Sequence, residues 1–131
     1  MDKGFEELLL ELPQHERKLR DLSEIVLANL VMISEIPAPT FSEQKRVEFI
    51  TARMTDYGLQ NTSTDEVGNA LGILPGKTGR KNILIAAHLD TNIESAVDHT
   101  IAIQTNRIYG PGVGDNGLGL AVMCALPVIL E

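Results

Sequence analysis

The chain has 131 residues, 44% of them hydrophobic and 4% aromatic, with a formal net charge of -7; that length supports one aliphatic core and hardly two. Eighteen Asp and Glu against 11 Lys and Arg exclude the clustered basic surface that nonspecific nucleic-acid binding requires. One cysteine, Cys124, excludes an internal disulfide framework, while the lack of a signal-like N-terminus and of an apolar run near the roughly 20 residues of a membrane span makes no membrane and a cytoplasmic location the default.

In chain order, Phe5 to Leu12 alternates acids with leucines and meets Pro13, which predicts a short helical or frayed lead. His15 to Glu35 then carries Leu19, Leu22, Val26, Leu30 and Ile33 at helical spacing, with Pro37 and Pro39 as the stop. Thr40 followed three residues on by Glu43 predicts a capping box for a second helix. Its apolar stripe is Val47, Ile50, Met54 and Tyr57, and Gly58 ends it. Leu59 to Thr64 and Ala70 to Leu74 flank a Gly-Asn turn as a hairpin, with a polar loop from Pro75 to Lys81. Ile83 to Ala87, uncharged and apolar, predicts a fully buried strand. Short strands follow at Thr100 to Gln104 and Arg107 to Tyr109, then a helix from Gly117 to Glu131 that Pro127 should kink or shorten.

The chemistry concentrates where the buried strand ends. Open α/β sheets place their sites just beyond the carboxyl ends of such strands, and His88 and Asp90 stand there. Strand periodicity puts both side chains on one face. Asp90 can then accept one ring N–H of His88, fixing the tautomer and leaving the other nitrogen for a divalent cation. The glycines of Gly110-Pro-Gly-Val-Gly114 permit a tight turn that presents Asp115. A carboxylate with two oxygens can bridge two metal ions, as in two-metal hydrolysis.

These segments together resemble the zinc-dependent metallopeptidases and deacylases that include aminoacylase, carboxypeptidase G, peptidase T, acetylornithine deacetylase and succinyl-diaminopimelate desuccinylase. The resemblance runs in order from about residue 20 to the end. It takes in the Ile36-Pro37-Ala38-Pro39 turn after a leading helix, the second helix to Gly58 and Asp65-Glu66-Val67-Gly68-Asn69 as an Asp-x-x-Gly-Asn hairpin. His88-Leu89-Asp90-Thr91 is similar to the first metal motif, and Arg107 to Gly119 to the segment with the bridging aspartate. The resemblance implies an α/β fold of helices packed on a mixed β-sheet, part of a zinc-exopeptidase-like catalytic domain. It implies two zinc ions, or cobalt or manganese, with His88 and Asp115 as metal ligands and Asp90 orienting His88. The substrate it implies is a small peptide or N-acyl amino acid.

The same resemblance places the general-base glutamate in a Glu-Glu pair downstream of the bridging aspartate, followed by further ligands. No such pair follows Asp115 here, and Glu6-Glu7 lies upstream. The chain is therefore expected to be the N-terminal part of one metallohydrolase catalytic domain, inactive by itself, without its lid or dimerisation domain. Faces left bare by that division would favour self-association into a homo-oligomer.

Competing readings fare less well. Gly112-Val-Gly-Asp-Asn-Gly117 fits Gly-x-Gly-x-x-Gly, but Asp115 would face the pyrophosphate and the acidic ribose ligand would fall beyond the C-terminus. Gly76-Lys77-Thr78 is similar to the end of a P-loop, yet Leu71 stands where its first glycine should and a strand follows. His15 reads as a solvated residue of a charged helix start, His99 as a loop residue matching no ligand position, and Cys124 as core packing. Asn116 is expected to shape the turn or cap the helix, and the segment lacks the lysine of the commoner Asp-x-Lys-x-Gly pattern. Two alternatives stay open: a noncatalytic module that keeps the fold, and a related aminopeptidase family with its own strand-end His-x-Asp.

Overall fold

The computed structural model describes residues 9–13, 16–18, 20 and 22–130. Residues 9–13 are helical, in line with the leucine-rich lead, and so are 16–18 and 20. Residues 5–8, His15, Leu19 and Glu131, on which parts of the expected lead and helices fall, lie outside the described residues.

Helix α1 spans Ser23–Ser34. It ends where Pro37 and Pro39 forbid continuation, with the Glu35 N–H on the Val31 carbonyl at 3.0 Å. Helix α2 spans Gln44–Asp56 and stops at Gly58, whose φ of 80° suits a left-handed C-terminal residue. Strands β1 (Gln60–Thr64) and β2 (Ala70–Ile73) form an antiparallel hairpin. β3 (Ala102–Gln104) and β4 (Arg107–Tyr109) form a second. An irregular turn over Val113–Gly117 leads into helix α3, Leu118–Leu130.

Apolar spacing decides how these elements meet. Leu30 and Ile33 of α1, Ile50 and Met54 of α2, and Leu120, Ala121 and Cys124 of α3 form one buried cluster, bordered by Val26, Phe49, Leu59 and Ala70. Each large aliphatic side chain removed from water there contributes about 1.5–3 kcal/mol. The core thus lies between the helices, and the α/β class expected from the sequence stands. Its strands pair antiparallel within each hairpin, and a single parallel bridge joins Pro39 to Thr91.

Four local expectations are corrected. Ile83 to Ala87 is not a buried strand: among the described residues nothing pairs with it, and Ile83 and Leu84 are 85% and 91% exposed. An apolar run becomes a strand only where neighbouring strands accept its backbone hydrogen bonds, and none lies alongside. The capping box is absent, because α2 begins at Gln44 with Glu43 as N-cap and no side-chain cap. Glu43 Oε1 instead accepts the Phe41 N–H at 2.7 Å, and the Thr40 hydroxyl points elsewhere. Pro127 does not shorten α3, which runs on to Leu130 with the proline ring buried. Lastly, Val113–Leu130 is long and apolar enough to cross a membrane by length and composition. Its first residues are the broken turn, and Leu120, Ala121, Cys124 and Ala125 are packed inside the fold.

Candidate functional site

Three segments distant in sequence converge at the edge of this core. The first is the loop after α1, where Ala38 accepts the Thr91 N–H at 2.8 Å. The second is the extended stretch carrying His88 and Asp90. The third is the turn around Asp115, and glycine permits its approach at both ends. A Cβ on Gly112, whose φ is 71°, would come within 3.0 Å of Thr91 Cγ2. One on Gly117 would meet Ser34 Oγ at 2.3 Å and the Gly112 carbonyl at 2.8 Å. Asp115 and Asn116 have non-helical backbone angles, and the peptide between them is cis.

The structure brings His88, Asp90 and Asp115 together. His88 Nδ1 stands 3.0 Å from the Asp90 carbonyl oxygen and 3.3 Å from its Oδ1. His88 Nε2 stands 3.0 Å from Asp115 Oδ1. Asp90 and His88 meet without the strand whose periodicity was expected to align them. The contact of the ring with the Asp90 carbonyl brings them together instead.

Electrostatics follow from these contacts. Partial desolvation disfavours the His88 cation, but the Asp90 carbonyl, the Asp115 carboxylate and the Asp90 carboxylate outweigh it, and the net shift is upward. The Asp90 carboxyl is held below its usual range, first by the Thr40 hydroxyl and then by His88. Site side chains stay open to solvent, with Asp115 89% and His88 50% exposed.

With Nδ1 turned to Asp90, Nε2 is the nitrogen that faces Asp115. Two tetrahedral zinc ligands at about 2.1 Å from the ion lie roughly 3.4 Å apart, and the Nε2–Oδ1 separation of 3.0 Å is a small side-chain adjustment from that edge. Imidazole and carboxylate are both ordinary zinc donors. The pair therefore fits part of a coordination sphere. Among the described residues, no group of three or more His, Cys, Asp or Glu is arranged to hold a metal ion.

Two residues of the site were not singled out from the sequence as site residues. Thr40 Oγ1 donates to Asp90 Oδ2 at 2.8 Å, across 50 residues. Arg46, 1% exposed, donates from Nη1 to the Leu89 carbonyl at 2.7 Å and from Nε and Nη2 to the Ile36 carbonyl. It thereby ties the loop after α1 to the peptide between His88 and Asp90. Burial lowers its pKa, and the charge of Asp90 opposes that shift. A signal existed: Arg46 lies one turn before Ile50 on the inward side of α2. The remaining candidates stay apart. His99 is buried with Nε2 3.2 Å from the Glu94 carbonyl, and Cys124 is in the core.

The profile of peptidase family M28 matches residues 69–131, a span that contains His88, Asp90 and Asp115. A protein of Pyrococcus abyssi, named as a LysW-lysine/LysW-ornithine hydrolase, is 34% identical over 82 residues, covering 63% of this chain and 21% of that protein. Its namesake in Thermococcus kodakarensis is 41% identical over 69 residues, covering 53% of this chain and 19% of that protein. The chain thus matches about a fifth of the length of these relatives.

Proposed function

We propose, from the match of residues 69–131 to the profile of peptidase family M28, that the chain is the N-terminal part of the catalytic domain of a zinc-dependent hydrolase cleaving a peptide or N-acyl amide bond. The carrying observation is the contact of His88 Nε2 with Asp115 Oδ1 at 3.0 Å, with Nδ1 turned to Asp90. Metal-binding histidines give one ring nitrogen to a carbonyl or carboxylate and the other to the metal; here Nδ1 faces the Asp90 carbonyl, and Nε2, which meets the Asp115 carboxylate, is the nitrogen a metal would take.

His88 and Asp115 would hold the metal, Asp115 with a second oxygen to spare for a neighbouring ion. The chemistry supplied by zinc when bound is polarisation of the scissile carbonyl and acidification of water. Asp90 holds the proton of His88 at Nδ1 and keeps the ring plane fixed. The solvent-open donors leave room for a small substrate to approach. The names of the two relatives, hydrolases of lysine and ornithine conjugates, support a substrate of the amino-acid conjugate class.

Zinc calorimetry on the 131-residue chain tests the donor assignment. Binding should fall well short of the ~10–16 kcal/mol of a complete structural zinc site, and should be lost in His88→Ala and in Asp115→Ala. Tight uptake of two ions per chain, or binding indifferent to both substitutions, contradicts it.

A further inference from the structure

The stretch that carries His88 and Asp90 lacks the support a sheet would give it. Residues 81–90 form no helix or strand, and among the described residues their backbone bonds to no other backbone group. One donor reaches their main chain from elsewhere among the described residues, and it comes from Arg46: Nη1 donates to the Leu89 carbonyl at 2.7 Å. Arg46 is an unfavourable residue to bury there unless its donors matter. Its side chain is 1% exposed, and among the described residues no carboxylate forms an ion pair with it. A buried charge without a counterion is tolerated where every donor finds an acceptor, and an apolar residue of similar volume would otherwise sit there at lower free energy.

The other side of the guanidinium shows what the donors do. Nε, at 3.2 Å, and Nη2 both donate to the Ile36 carbonyl, and Ile36 is itself tied to the end of α1 through its N–H on the Ile33 carbonyl at 3.2 Å. A planar fork of N–H groups can span two carbonyls at once, which a single ammonium on a flexible stem does poorly. We propose that Arg46 is a positioning residue: by bridging the Ile36 and Leu89 carbonyls it fixes the peptide between His88 and Asp90 against the helical core, and so sets where the His88 ring meets Asp115. The functional meaning of that placement rests on the reading of His88 and Asp115 as metal donors, whereas the bridge itself is tested without metal.

The test uses the 131-residue chain. With ¹⁵N-arginine labelling, wild-type Arg46 should give separately resolved Nη1 and Nη2 signals, because a guanidinium held on both sides does not turn freely about its Nε–Cζ bond; averaging like that of the exposed Arg80 overturns the bridge. Two variants then read the site: Arg46→Lys, which keeps the charge on one donor centre, and Arg46→Met, which removes both. The Thr91 N–H on the Ala38 carbonyl joins the same two segments two residues further along. Its hydrogen exchange should quicken at least about tenfold relative to the core amide of Met54 in both variants, and zinc affinity by calorimetry should fall about tenfold or more. Equal acceleration of Thr91 and Met54 marks a merely structural role, wild-type behaviour of Arg46→Lys shows that charge alone suffices, and zinc affinity unchanged beside a loosened Thr91 shows that the site ignores the bridge; each overturns the proposal. Where circular dichroism shows that a variant has lost its fold, the arginine signals of the wild-type chain and the other variant decide. Zinc binding indifferent to His88→Ala and Asp115→Ala defeats the metal reading, while the arginine signals and the exchange still decide the role of Arg46.

Discussion

A side chain's reactivity here follows from what touches it. Cys124 is 1% exposed in the core, and burial pushes its thiol up to about 11. Two units above the usual value leave about 100-fold less thiolate at mildly alkaline pH. Iodoacetamide labelling of the native chain should therefore run at least about 100-fold slower than in the unfolded chain, where access is also restored. Equal rates would show that the core opens readily. Asp65 gives the opposite case. Its carboxyl is held low first by the Asn69 side chain, and it also accepts the Val67 and Asn69 N–H groups. A depressed folded value stabilises the fold above the unfolded value near about 3.9 and loses that contribution as pH falls through the folded value. The melting temperature should drop between about pH 5 and about pH 3, and drop less in Asp65→Asn, which keeps an acceptor oxygen without the charge. An equal drop in both would place the acid sensitivity elsewhere.

Between elements, fit is set by close approach. Gly117 lies so near α1 that a methyl group would strike Ser34 Oγ and the Gly112 carbonyl, and overpacking of this kind costs about 1–3 kcal/mol. Gly117→Ala should lower thermal stability by that amount, and Ser34→Ala in the same chain should recover part of it. Ser34→Ala alone should be neutral or slightly stabilising, because Ser34 Oγ is buried without a hydrogen-bond partner among the described residues. Full additivity of the two changes would deny the contact. Elements whose causes are local were legible in the sequence. Pro37 and Pro39 end α1, Gly58 ends α2, and Asp65 organises its turn through neighbours two and four residues away. The site's ligand candidates were legible for the same reason, since His88 and Asp90 are two residues apart and the glycines around Asp115 announce a turn. What depends on distant partners was not. Thr40 reads locally as a helix cap, and only the chain's return 50 residues later turns its hydroxyl to Asp90. Ile83 to Ala87 has the composition of a strand, but pairing belongs to neighbours rather than to composition.

For the molecule as a whole, the helical core carries the fold while the candidate site sits at its rim, where the loop after α1, the His88 stretch and the Asp115 turn meet. Apolar side chains at Ile83 and Leu84 are exposed. The central proposal is that His88 and Asp115 are metal donors of a hydrolase, and it is tested most directly by hydrolysis of dipeptides and N-acyl amino acids in the longer protein proposed to contain this chain. Chelation should abolish turnover and zinc or cobalt should restore it. Asp115→Ala, folded as wild type by circular dichroism, should lower turnover by at least about 100-fold even with metal in excess. Turnover that ignores chelation, or that survives Asp115→Ala undiminished, would contradict the account.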